Sequence, residues 1–284
     1  MLGILKVTNY WIYLGLWAIE GPAQGCILTT TVAIMSNWFP ANVRGKVMGI
    51  WGANASVGNI MGEWIAAFVH ESMHLPWQAV ILVAGTFLGC MGLSLKLCVN
   101  DKPHQPLTTS LLNKNSQKLS FFNAWKEPGV IWCSLCYSCV KLLNYGFLLW
   151  LPFYLSTSFS MDLTTIGFLA TLYDLGAISG SIMAGYISDK VGFRSAVVEV
   201  MIILAIPIVM LFRVTDEENT WVFYLLTPAA GYMIGGSANI ISAAVAADLS
   251  ISSETGEPRA TIIGIINGTG SLGAASGQIV VRVI

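Results

Sequence analysis

The chain has 284 residues, 55% of them hydrophobic and only 10% charged, with a formal net charge of −1. Soluble domains carry about a quarter charged residues, so this composition excludes an ordinary soluble globular protein. The 14 Lys and Arg follow the membrane topology set out below and form no basic patch, so nothing points to nucleic acid.

What remains is an all-α, multi-pass membrane protein. Apolar stretches of about 20 residues, enough to cross roughly 30 Å of hydrocarbon, recur along the chain between polar connectors. The first residues, MLGILKVTN, lack the charged start and small-residue cleavage site of a secretory signal, so the first span is expected to do the targeting.

In chain order the pattern predicts eight spans. The first, Tyr10 to Met35, carries Glu20 near mid-depth. Arg44 and Lys46 precede the second, Val47 to Val69, which holds Trp51, Asn54, Asn59 and, nearer the far face, a Glu63 read as structural. The third runs from Trp77 to Val99. Asn100 to Pro128, rich in Ser, Lys, Asn and Pro, reads as a linker dividing the spans three and five.

The fourth span, Val130 to Ser156, places Lys141 eleven residues in, about 16 Å deep at 1.5 Å per residue. A Lys at that depth costs roughly 2.5–3.5 kcal/mol, so it calls for a polar cavity or a counter-charge. Asn144 and Tyr145 follow at i+3 and i+4 on the same face. Two readings stand: an anion site built from ammonium, amide and phenol, or a structural ion pair with Glu20 or Asp174. Cys133, Cys136 and Cys139 on this span read as small packing residues, since no His is near enough in sequence to suggest zinc.

The fifth span, Thr165 to Ile187, contains Tyr173 and Asp174, and no second Asp stands in the Gly-x-Gly-Asp setting that an aspartyl dyad would require. The last three are Ser195 to Phe212, Trp221 to Val245 with Asn239, and Ala260 to Ile284 with Asn267. Trp51, Asn239 and Asn267 are candidate cavity residues. An even number of spans puts both ends on one side. Lys and Arg gather in the odd connectors, which are therefore expected to be cytosolic; Arg213 is the exception.

Small residues recur at four-residue spacing in Gly176–Gly180–Ala184, Gly58–Gly62, Gly231–Gly235 and Gly273–Gly277, as close helix packing requires. RGKVMGIWGANASVGNIMG from Arg44 aligns without a gap on RATIIGIINGTGSLGAASG from Arg259. The two segments lie in spans six apart, which implies a parallel six-helix repeat.

After the fifth span, GYISDKVGFR resembles the loop motif G-x-x-x-D-[RK]-x-G-[RK] of the major facilitator superfamily, with one extra residue before Arg194. Asp189, Lys190 and Arg194 would form a conformational latch between helix ends. NWFPANVRGKVMGIWGANASVGNIMG, KLLNYGFLLWLPFYLS and LYDLGAISGSIMAGYISDK resemble the sugar phosphate exchangers, the eukaryotic branch of the organophosphate:phosphate antiporters. The resemblance implies a partial twelve-helix fold containing spans 4 to 11. Residues 1–99 would be the end of one six-helix bundle, 100–128 the cytosolic linker, and 129–284 the first five helices of the other.

The resemblance also implies exchange of an organic phosphate for inorganic phosphate in an intracellular membrane, the endoplasmic reticulum or a lysosome-like compartment. Lys141, Asn144, Tyr145, Tyr173 and Asp174 would contact cargo. Bacterial relatives carry an Arg where this chain has Asn144, which makes Lys141 the candidate phosphate contact. No enzymatic activity, cofactor or metal is implied, and none of the nucleotide- or peptide-hydrolysing motifs occurs. With spans 1 to 3 and 12 absent, the 284 residues are expected not to transport alone. The rival expectation is a truncated, non-transporting membrane partner of a full-length carrier.

Overall fold

The computed structural model describes residues 10–39, 41–69, 73–98, 121–250 and 260–283. Among these the architecture is helical throughout, with no strand. The long helices are α1 (Tyr10–Trp38), α2 (Ala41–Gly52), α3 (Asn54–Ala67) and α4 (Trp77–Cys98), then, after the single turn α5 (Phe121–Ala124), α6 (Val130–Ser158), α7 (Leu163–Val191) and α8 (Arg194–Val214). One further rod contains α9 (Phe223–Ala230), α10 (Gly236–Ile240) and α11 (Ala246–Ser250), and α12 (Ala260–Val283) closes the described chain. Of the expected linker, 100–120 lies outside the described residues.

Among the described residues five stretches are long and apolar enough to cross a membrane: Ala79–Leu97, Val130–Ser158, Leu163–Val191, Arg194–Val214 and Asn219–Leu249. The other expected spans are present as helices α1 and α12, whose Gly, Ser, Thr, Asn and Gln dilute their apolarity, and as α2 with α3, of 12 and 14 residues, each short of a full crossing. The expected second span differs in form. Its helix starts at Ala41, so Lys46 is helical, and it breaks at Ala53, whose N–H bonds only as far back as the Ile50 carbonyl at 3.3 Å. The seventh rod keeps helical dihedrals but widens into π-turns at Gly231–Gly235 and Ile241–Val245.

Packing is set by small residues. A Cβ at Gly176 would collide with the Pro228 carbonyl and one at Gly180 with the Tyr232 carbonyl, while a Cβ at Gly231 would strike the Tyr173 carbonyl. Backbone therefore meets backbone between α7 and the α9 rod, as small-residue stripes allow. Gly273 and Gly277 clasp Ser138 and Leu142 of α6 in the same way. Their repeat counterparts Gly58 and Gly62 face open space, so that stripe, read from sequence as a packing face, has no neighbour among the described residues.

Two apolar cores result. One joins α2, α6, the α10–α11 region and α12 around Met48, Val140, Ile240, Ile262 and Ile266. The other joins α6, α7, α8 and α9 around Leu155, Leu169, Phe212 and Phe223. Helix α1 lies against α12, and α4 against α3. Their outer faces leave Trp11, Ile19, Leu88 and Leu97 more than two-thirds exposed, which suits a surface solvated by lipid.

Candidate functional site

Lys141 projects from α6 toward α12. Its Nζ donates to Ser271 Oγ at 2.9 Å, and that hydroxyl donates to the Asn267 carbonyl at 3.1 Å. The close approach of α12 makes this contact: a Cβ at Gly270 would meet the Tyr137 ring and come within 3.1 Å of Lys141 Cδ. The ammonium lies 5.4 Å from the Tyr137 ring centroid and 5.8 Å from that of Tyr145. Both distances approach the outer limit of cation–π attraction, about 6 Å, so the rings contribute weakly and Ser271 sets the position.

Among the described residues no carboxylate pairs with Lys141. The ion-pair alternative therefore gives way. Glu20 accepts from Gln24 of its own helix at 2.9 Å, and Asp174 accepts from Asn59 at 3.2 Å. A hydroxyl and two phenol rings orient a positive charge without cancelling it. An ammonium has three donors, and one is used here.

Asn144, one turn beyond Lys141, accepts from the Tyr173 hydroxyl at 2.7 Å and ties α6 to α7. The Tyr173 ring stacks on Phe147 with centroids 5.6 Å apart. Asn267 is buried on α12, its Nδ2 bonded to the Ile263 carbonyl at 3.1 Å and its Oδ1 without a partner. An unpaired buried amide oxygen costs on the order of 1–3 kcal/mol, as tolerated at working sites. Lys141, Asn144, Tyr145, Tyr173 and Asn267 thus gather on α6, α7 and α12.

The other candidates lie elsewhere. Asp174 points away from this cluster, to the seam between α3 and α7, where Asn59 meets it. Trp51 is half-buried against the core that includes Met48 and Ile240. Asn239 stands where α10 approaches Gly52 of α2.

At the other level of the molecule Asp189 joins three elements. Its two carboxylate oxygens accept the backbone N–H groups of Gly45 at 2.9 Å and Lys46 at 2.6 Å, and its Oδ1 pairs with Arg194 Nη1 at 3.1 Å. Arg194 Nε also pairs with Asp248 of α11. Gly192 makes the geometry reachable: its φ of 76° ends α7 in a left-handed cap, so α8 turns back and presents Arg194 to Asp189. Gly45 is needed too, because a Cβ there would enter the Asp189–Arg194 contact. Lys190 stands outside this cluster, with its ammonium 4.6 Å from the Tyr186 ring centroid.

Sequence reasoning missed Ser271, Tyr137 and Asp248. Tyr137 precedes Lys141 by four residues, a same-face spacing that could have found it. Ser271 is the repeat mate of Ser56, a match visible in the alignment but silent about partners. No spacing rule points to Asp248, which meets Arg194 only through the fold. A cavity of about 930 Å³ lies on the latch side of α6, α8 and α11, lined by Trp132, Cys136, Val198, Ile202 and Leu249 with Arg194 at its rim. It does not include Lys141.

A family profile described as Major Facilitator Superfamily matches residues 1–278. The chain is 34% identical over 314 aligned positions to sugar phosphate exchanger 3 of Homo sapiens, covering 99% of this chain and 63% of that protein. It is 31% identical to a putative glycerol-3-phosphate transporter 3 of Arabidopsis thaliana, covering 96% and 59% of the two chains. It is also 31% identical to a glucose-6-phosphate exchanger of Danio rerio, covering 98% and 63%. The chain therefore spans about three-fifths of the length of these relatives.

Proposed function

The chain belongs to the major facilitator superfamily, and on that premise we propose that it serves transport of a phosphorylated organic anion, a sugar phosphate or close relative, in exchange for inorganic phosphate. Residues 1–99 form the end of one helical half and 129–284 most of the other, with cargo held between them and exposed to each side in turn. One observation carries the cargo class: the Lys141 ammonium is positioned by Ser271, near two tyrosine rings, with no described carboxylate beside it. A phosphate group bears about −1.5 to −2 charge near neutrality, and a half-buried, uncancelled cation attracts it as a neutral-sugar carrier would not require. The names of the relatives, two exchangers of phosphorylated sugars or their kin and a glycerol-3-phosphate transporter, support the same class.

Lys binds phosphate as a point charge, so Asn144, Tyr145 and Tyr173 supply direction. These 284 residues wall the Lys141 cluster on α6, α7 and α12, and exchange requires further walls. The expected result for this chain in liposomes is no exchange of labelled phosphate against internal phosphate; robust exchange refutes that part of the reading. In a chain extended to the relatives' length, Lys141→Gln raises the half-saturating phosphate concentration roughly tenfold or more. An unchanged value leaves Lys141 a structural residue and removes the basis for the cargo.

A further inference from the structure

A second polar site lies outside the Lys141 cluster. On α3, Ser56, Asn59 and Glu63 fall at spacings of three and four residues and share one face. That face meets Thr171 and Asp174, one turn apart on α7. Asn59 donates to Asp174 Oδ1 at 3.2 Å, and the Thr171 hydroxyl, which donates to the Gly167 carbonyl of its own helix at 3.0 Å, lies 3.4 Å from Glu63 Oε2. Asn59 and Glu63 are one turn apart on α3, as Thr171 and Asp174 are on α7, so these contacts set the Glu63 and Asp174 carboxylates about one helical turn apart across the seam, with Ser56 one turn before Asn59 on the same α3 face.

Asp174 is 2% exposed, and its Oδ2 has no hydrogen-bond partner among the described residues. A buried carboxylate with an open oxygen, and a second, half-buried carboxylate beside it, call for a positive charge. The described elements packed against them offer none. Lys141 and Tyr173 are engaged by Ser271 and Asn144. Lys46, Asp189, Lys190 and Arg194 lie at the latch, roughly 22 Å or more along α2–α3 or α7 at 1.5 Å per residue. Lys96 ends α4, Glu199 and Arg213 stand near the two ends of α8, and Asp248 is held by Arg194. Tyr224 and Tyr232 are on the α9 rod, on the opposite face of α7.

We propose that Asp174 and Glu63, with Ser56, Asn59 and Thr171, bind one small monovalent cation, a proton or a sodium ion, between α3 and α7. The donors are all hard oxygens, the set such a cation prefers, with Asp174 Oδ2 as the open position. Helix α3 belongs to the first half of the chain and α7 to the second. The cation therefore holds the two halves together here, and its loss leaves like charges that push them apart. This ion site does not depend on the cargo at Lys141.

The test is thermal unfolding of the purified chain in nanodiscs of zwitterionic lipid, in two arms. The first exchanges choline chloride for sodium chloride at fixed alkaline pH, and the second lowers the pH in choline chloride. The unfolding midpoint of the wild type rises on the order of 5 °C with sodium if the ion is sodium, and only on acidification if it is a proton. The Glu63→Gln, Asp174→Asn double variant, neutral at both positions, loses that rise in either arm. A wild type that responds in neither arm overturns the proposal, as does a double variant that keeps the full response. If the double variant does not fold, infrared difference spectra of the wild type decide. Sodium-dependent shifts of carboxylate bands or a protonated acid C=O band support the site, and spectra unchanged in both arms overturn it. Lys141→Gln keeps the wild-type response, so failure of the cargo reading and failure of the ion site are separable.

Discussion

Ser271 is the neutral hinge of the Lys141 cluster, because the same hydroxyl accepts from the ammonium at 2.9 Å and donates to its own helix at 3.1 Å. A hydrogen bond to a charged group is worth about 1.5–3 kcal/mol, and this one fixes where the charge stands. Ser271→Ala is expected to weaken phosphate affinity about tenfold in a chain of the relatives' length, measured by equilibrium binding, while Lys141 keeps its charge. Unchanged affinity would show that the tyrosines alone position the ammonium. Asp162 offers a separate check outside the membrane spans. The Thr165 hydroxyl, at 2.7 Å, and its backbone N–H, at 3.1 Å, hold the Asp162 carboxyl below the usual carboxylate range as it caps α7. A depressed folded-state value means the cap stabilises above the unfolded-state value and is lost as pH falls through the folded one. Asp162→Ala should speed amide exchange in the first turn of α7 at neutral pH, with the gap to wild type closing in acid.

At the scale of elements, the glycine faces show what the repeat discloses and what it withholds. The gapless alignment pairs Gly58 with Gly273 and Gly62 with Gly277, which fixes the helices and their faces. It does not say whether a neighbour is present: α6 fills one face, and open space borders the other. Gly273→Ala forces a Cβ into the Ser138 backbone and side chain, an overpacking of about 1–3 kcal/mol, and should lower the unfolding midpoint. Gly58→Ala should leave this chain's midpoint unchanged or slightly raised, since helical Gly costs about 1 kcal/mol relative to Ala. Equal losses in both variants would refute the packing account. Helix existence was legible for a related reason, since apolar length alone compels a helix in lipid. The Ala53 break and the two π-turns leave no such trace. They lie on helices that pack against α7, and neither apolar length nor composition marks their positions.

Across the whole molecule α2–α3 meets α7 at two levels of opposite character. At one, the carboxylates of Asp174 and Glu63 face neutral partners, Asn59 and Thr171, and at the other Asp189, Arg194 and Asp248 form a charge network. The loop motif made Asp189 and Arg194 legible as partners because Gly192 is the residue a left-handed cap requires. It could not reveal that Asp189 also takes two backbone N–H groups of α2, across 143 and 144 residues of sequence. That contact between α7 and α2 ties distant parts of the chain together through one side chain. Asp189 and Arg194 side chains are only 12% and 11% exposed, so removing the Asp189 charge breaks a largely buried ion pair and costs roughly 3 kcal/mol. Such a cost shifts an equilibrium between closed and open seams by about a hundredfold. Spin labels at the exposed positions Val43 on α2 and Val200 on α8, in a background without native cysteines, report the separation. Asp189→Asn is expected to add a longer-distance population absent from the wild type, and identical distance distributions would show that the glycine contacts of α2 and α7 hold the seam without the latch.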